Sequence, residues 1–309
     1  MVTIKTILAV EHVSKSYKSG LVLDNISFSL IEGEVVGLIG RNGAGKTTLM
    51  KAILGLVFPD QGTITYLGRS DYKGNREMMN SLGYLIDCKP YEELTAYENL
   101  FIQWSYSGMT TDDNMHKRIR ELLEFVELDG NKKRVKEFSF GMKQRLGLAL
   151  ALINNPKLLI LDEPFVGLDP MGIRSFKQYI RQLTSQKKVT VLVSSHQLSE
   201  IEELCERYLF IENKRLTDYR DEPNKRTVIC YDKINKLILD DILNRYDDAL
   251  LAITEEKLVV DNSKTDLSPF LKFILNHDLR IKEITTEQSS VNDLFAEEGK
   301  DRYAAASTH

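Results

Sequence analysis

Eight consecutive residues could cradle a phosphate chain: Gly40, Arg41, Asn42, Gly43, Ala44, Gly45, Lys46 and Thr47. They follow directly on the apolar run Val35-Val36-Gly37-Leu38-Ile39. That order predicts a buried strand, a glycine-rich turn and a helix beginning near Lys46. Side chains at Gly43 and Gly45 would block backbone N–H groups from phosphate oxygens. Lys46 would reach the β- and γ-phosphates, and the Thr47 hydroxyl could ligate Mg²⁺. The helix N-terminus adds partial positive charge. The pattern therefore predicts a bound nucleoside triphosphate.

Hydrolysis needs a metal clamp and a group that activates water. Leu158-Leu159-Ile160-Leu161 predicts a second buried strand, with Asp162 and Glu163 at its carboxyl end. Asp162 could hold Mg²⁺ through water, and Glu163 could act as general base. Two acids closing a strand are often an ordinary surface turn; their place downstream of the phosphate loop favours the catalytic reading. Three further runs accompany them. Ser139-Phe140-Gly141-Met142-Lys143-Gln144-Arg145 precedes an amphipathic helix, Gly167-Leu168-Asp169 follows Glu163, and Ser194-Ser195-His196 ends the next strand.

With these motifs in this order, residues 7–216 resemble the nucleotide-binding subunits of ABC transporters. The resemblance implies that residues 40–48, Thr48 included, form the Walker A loop. Asp162 becomes the Walker B aspartate, Glu163 the catalytic glutamate and His196 the switch histidine at the γ-phosphate. Ser139 and Gly141 belong to the signature motif and Asp169 to the D-loop. Tyr17 stands where the family stacks an aromatic on adenine, the lesser alternative being a strand-edge tyrosine that packs instead. ATP and Mg²⁺ are the implied cofactors. The implied assembly is a head-to-tail homodimer, or a pair with a second ATPase subunit, with ATP held by Lys46 of one subunit and Ser139 and Gly141 of the other. A separate polytopic permease would place the chain in the cytoplasm, on the inner face of the cell membrane.

Two departures from the family pattern stand out. The usual Leu-Ser-Gly-Gly-Gln signature is Phe138-Ser139-Phe140-Gly141-Met142 here. Where the family has a metal-associated glutamine, this chain has Asp87, which can accept from metal-bound water but cannot donate as an amide does. The signature variant and the run Ser194-Ser195-His196-Gln197-Leu198-Ser199-Glu200 look most like bacterial exporters of the bacitracin or lantibiotic resistance type. Export of an antimicrobial peptide, an antibiotic or another small compound is the implied function. A soluble ABC ATPase acting on ribosomes or DNA, and an ATP-switched regulatory module, are the alternatives.

The elements that must position these residues read as an α/β fold. Residues 7–13 and 21–30 alternate apolar and polar positions, as strands of an antiparallel sheet do. Residues 63–66, 82–86, 190–193 and 208–212 read as further strands. Thr95 with Glu98 forms a capping-box pattern that opens a helical stretch. The expected domains are a nucleotide-binding domain over 1–217 (P-loop core 1–88 and 156–217, helical subdomain 89–155), a charged linker at 218–226 and a C-terminal α+β domain at 227–309. The last has the order βαββαβ of a ferredoxin-like unit, before a tail at 304–309 that reads as unstructured.

Composition narrows the classes. The 309 residues are 42% hydrophobic and 28% charged, with a formal net charge of −4, which argues against nucleic acid as the main partner. No apolar run is long enough to span a bilayer. Cys88, Cys205 and Cys230 are widely spaced and odd in number, which fits reduced thiols better than disulfides or a zinc site.

Overall fold

A computed structural model describes residues 5–288, apart from 131, 197, 206, 221–224, 233–235, 255, 263 and 277–278. The chain divides into two units, Met1–Arg220 and Asp221–His309. The tail at 304–309 lies outside the described residues.

In the first unit, the alternating segments form β1 (Thr6–Tyr17) and β2 (Gly20–Ile31). After these come β3 (Val35–Ile39), α1 (Lys46–Ile53), β4 (Gln61–Tyr66), α2 (Arg76–Asn80) and β5 (Leu82–Leu85). Next are α3 (Ala96–Ser107), α4 (Asp113–Phe125), α5 (Phe140–Leu152), β6 (Leu158–Leu161) and α6 (Pro170–Lys187). The unit ends with β7 (Thr190–Ser195), α7 (Leu198–Ile201), β8 (Arg207–Glu212) and β9 (Arg215–Arg220). β1 lies between β2 and β4 in an antiparallel sheet. Its Leu8, Val10 and Val13 are buried in one core with Leu38 of β3 and Leu49 of α1.

The second sheet has the order β5-β6-β7-β3-β8-β9, parallel except for β9. All four residues of β6 and all six of β7 are buried, as a parallel sheet covered on both faces requires. Because β6, β7 and β3 are neighbours, the loops that follow them meet at one carboxyl edge. Ligands in such sheets bind outside that edge.

β3, β6 and β7 lie where the apolar runs predicted strands. The charged stretch 218–226 differs from its reading as a linker. Asp218 to Arg220 complete β9, and Lys225 and Arg226 open the first strand of the second unit. Arg207, only 5% exposed, is the physical reason for β9: its Nη2 reaches Asp218 at 2.6 Å and its Nη1 reaches Glu34 at 3.0 Å. A buried guanidinium needs carboxylates, so charge here marks a strand. These partners raise the Arg207 pKa, the Asp218 hydrogen bond most of all, against an opposing effect of burial.

The second unit comprises β10 (Lys225–Tyr231), α8 (Lys236–Tyr246), β11 (Leu250–Ile253), β12 (Lys257–Asp261), α9 (Leu267–Asn276) and β13 (Ile281–Gln288). Its antiparallel sheet has the order β11-β12-β10-β13, the ferredoxin-like arrangement expected from the βαββαβ pattern. Ile229, Tyr231, Leu258, Val260, Phe270 and Ile274 form its core.

Candidate active site

The phosphate loop lies between β3 and α1. Gly43 and Gly45 hold φ values of 82° and 110°, in the region that favours glycine. At Gly45 space adds a second requirement, since a β-carbon there would lie 2.9 Å from Leu23 Cδ2. Gly45 also caps α1, so Lys46 and Thr47 open that helix. Lys46 is 5% exposed. Its Nζ donates to Gly40 O at 2.7 Å and lies 3.2 Å from Glu163 Oε1. Arg41, Asn42 and Gly43 are exposed, while Ala44, Thr47 and Thr48 are half-buried.

The loops after β6 and β7 close around this end. Thr47 Oγ1 donates to Asp162 Oδ2 at 2.6 Å, and Ser194 Oγ donates to Asp162 Oδ1 at 2.6 Å. Ser194 Oγ in turn accepts from the Glu163 N–H at 2.9 Å. Glu163 has φ 47°, rare for a non-glycine residue and a recurrent sign of functional strain. His196 Nδ1 donates to Glu163 Oε2 at 2.8 Å. Glu163 Oε1 is buried, accepts no hydrogen bond and faces Lys46. Lys46, Thr47, Asp162, Glu163 and His196 are thus brought together, with Ser194 tying the two acids to β7.

The role of Ser194 went unread in the sequence. The run Ser194-Ser195-His196 points to the histidine, and since all six residues of β7 are buried, no alternation singles Ser194 out.

The remaining candidates lie in other settings. Asp87, with φ 46° and a 69% exposed side chain, is outside the Thr47–Asp162 pair. Its carboxylate is held instead by Lys51 of α1 at 2.8 Å. That hydrogen bond raises the Lys51 pKa against burial, with Asp162 and Tyr17 adding smaller effects. Tyr17 ends β1 with 45% exposure, and Lys15 Nζ lies 5.5 Å from its ring centre. Ser139 caps α5, its Oγ accepting from the Met142 N–H at 3.2 Å, and Gly141 lies in the first turn. Asp169 caps α6, accepting from the Gly172 N–H at 2.8 Å. Among the described residues there is no cluster of three or more His, Cys, Asp or Glu side chains suited to a metal ion. An oxygen site built from Thr47 and one carboxylate remains compatible with Mg²⁺, which keeps waters and phosphate oxygens as further ligands.

Residues 23–166 match the protein family described as ABC transporter. The uncharacterized ABC transporter ATP-binding protein YhcH of Bacillus subtilis (strain 168) is 33% identical over 299 residues, covering 95% of this chain and 96% of that one. The chain belongs to the ABC transporter ATP-binding proteins. The bacitracin transport ATP-binding protein BcrA of Bacillus licheniformis is 40% identical over 217 residues, 69% of each chain. The resemblance to the bacitracin type read from the motifs is therefore borne out. A solved structure of an ATP-binding subunit of an ABC transporter superposes with a TM-score of 0.62 at 30% identity, covering 78% of this chain and 93% of the other. This ABC protein is an ATP-binding ATPase, and no helix among its described residues is long and apolar enough to cross a membrane.

Proposed function

We propose that this ABC ATPase powers export through a separate membrane permease, by closing two nucleotide-binding subunits around ATP. The set of Lys46, Thr47, Asp162, Glu163, Ser194 and His196, joined by hydrogen bonds and the Lys46–Glu163 ion pair, carries the reading. In it, the first unit, residues 1–220, is the nucleotide-binding domain, with 89–155 as its helical part, and the second unit is an accessory domain.

The adenine would stack on Tyr17, and the backbone N–H groups of residues 40–48 would hold the phosphates. Thr47 would hold Mg²⁺ directly and Asp162 through water. When bound, the ion would supply charge neutralisation to the phosphate chain. An arriving γ-phosphate would draw Lys46 from Gly40 O and Glu163, turning Glu163 Oε1 toward water. Water attacks the γ-phosphorus, its proton passes to Glu163 and the bond to ADP breaks. His196 holds the other carboxylate oxygen, keeping the base in place.

Ser139 and Gly141 of a second copy would complete the site. ATP would then bind the closed pair more tightly than the open one, and hydrolysis would remove that preference. A groove of about 320 Å³, lined by Asp87, Lys89, Tyr91, Gln103 and Tyr106 among others, offers the permease a docking place. The bacitracin-type relative supports an antibiotic, an antimicrobial peptide or a similar small compound as cargo.

The test is Glu163→Gln. Phosphate release should fall about a hundredfold or more while ATP binding survives. Wild-type turnover by that variant would remove Glu163 from the role of base.

A further inference from the structure

Phe140 stands where the family signature has its first glycine, and it is not idle. It opens α5 beside the capping Ser139 and remains 53% exposed. Its ring nevertheless covers Gly167. A β-carbon on Gly167 would lie 2.5 Å from Phe140 Cδ1 and 2.6 Å from Cε1. Gly167 also has φ 74°, the region that favours glycine, and a β-carbon there would have to displace the Phe140 ring. One step along, a β-carbon on Gly141 would lie 3.4 Å from Leu168 Cδ2. Two successive signature residues therefore lie against two successive residues of the loop after Glu163.

That loop has little slack. The Val166 N–H donates to Glu163 O at 3.3 Å, and the Leu168 N–H to Phe165 O at 3.1 Å. Phe165 is 2% exposed and meets Phe176 of α6 edge-on, with ring centres 5.6 Å apart. Packed side chains and short hydrogen-bonded turns transmit displacement rather than absorb it. A shift of the Phe140 ring reaches the Glu163 backbone through four residues, 164–167.

We infer that Phe140 is a positioning residue that couples the signature segment to the Glu163 loop of the same chain, an inference that rests on the two-copy site proposed above. In that site, Ser139 and Gly141 touch the nucleotide of the other copy, whereas Glu163 serves its own. The Phe140–Gly167 contact joins these two duties in one chain. ATP bound at one site thereby adjusts the base at the other, a coupling between sites that appears as cooperative hydrolysis. A glycine at 140 would leave the signature able to bind but slacken this connection.

The experiment uses the full chain. ATP hydrolysis is measured against ATP concentration for the wild type, Phe140→Gly, Phe140→Leu and Gly167→Ala, with thermal melts to verify folding. ATP-driven dimerisation is measured by sedimentation for each substitution in a Glu163→Gln background. The wild type should give a Hill coefficient above 1. Phe140→Gly and Gly167→Ala should bring it to about 1 while their dimers survive. Phe140→Leu, which keeps an apolar contact, should retain most of the cooperativity. A wild-type Hill coefficient in Phe140→Gly, with the dimer intact, would overturn the inference and leave the two-copy site standing. Loss of the dimer in Phe140→Gly would make Phe140 an interface contact and equally overturn it. If Glu163→Gln alone fails to dimerise with ATP, the two-copy site falls and takes the inference with it.

Discussion

At the scale of single residues, the account rests on oxygen and nitrogen atoms that face one another across three loops. Lys46 lies between the Gly40 carbonyl and Glu163, so its removal loses a charge-assisted contact to phosphate and leaves Glu163 Oε1 buried and unpaired. Lys46→Ala should weaken ATP binding about tenfold or more, measured by isothermal titration calorimetry. Asp87 presents the opposite case. Its exposed pair with Lys51 at 2.8 Å should contribute less than about 1 kcal/mol, so Asp87→Ala should barely move the denaturation midpoint. Much of this scale was legible. Gly43, Gly45, Lys46, Thr47, Asp162, Glu163 and His196 could be named because their types and order carry the chemistry. The partners of Ser194 and Asp87 could not, because a hydroxyl between two acids and a lysine one helix turn beyond the phosphate loop leave no mark in spacing.

At the scale of elements, helix starts carry the argument. Thr95 Oγ1 accepts from the Glu98 N–H at 3.2 Å, and Glu98 Oε2 accepts from the Thr95 N–H at 2.7 Å. This reciprocal cap starts α3 and was readable from Thr95 and Glu98 alone. Thr95→Ala should cost about 1 kcal/mol in chemical denaturation, with the spectrum of the folded state preserved. β9 was harder to read. Its residues Asp218 and Arg220 look like linker composition, because the buried Arg207 that recruits Asp218 lies on the neighbouring strand. Pairing between strands is invisible to a window that slides along one segment. β6 and β7 were legible for the converse reason, since continuous apolar runs in a parallel sheet need no partner to be recognised.

At the scale of the whole molecule, Arg207 joins the two sides of the first unit's architecture by bonding Ser29 O of β2, Glu34 before β3 and Asp218 of β9. Removing one member of such a buried set strands the remaining charges. Arg207→Ala should destabilise the protein by about 3 kcal/mol or more, read as a fall in the urea midpoint. The ferredoxin-like order of the second unit was legible in the sequence as βαββαβ, although its first strand begins at Lys225, before the expected domain start at 227. Assembly is the remaining question at this scale, because Ser139 and Gly141 are proposed to serve the phosphate loop of another copy. The most direct measurement is sedimentation of Glu163→Gln with and without MgATP, alongside Glu163→Gln combined with Ser139→Arg. The account predicts that ATP doubles the molar mass of the first and leaves the second monomeric. A Glu163→Gln protein that binds ATP yet stays monomeric, or a Ser139→Arg combination that dimerises as well, would contradict it.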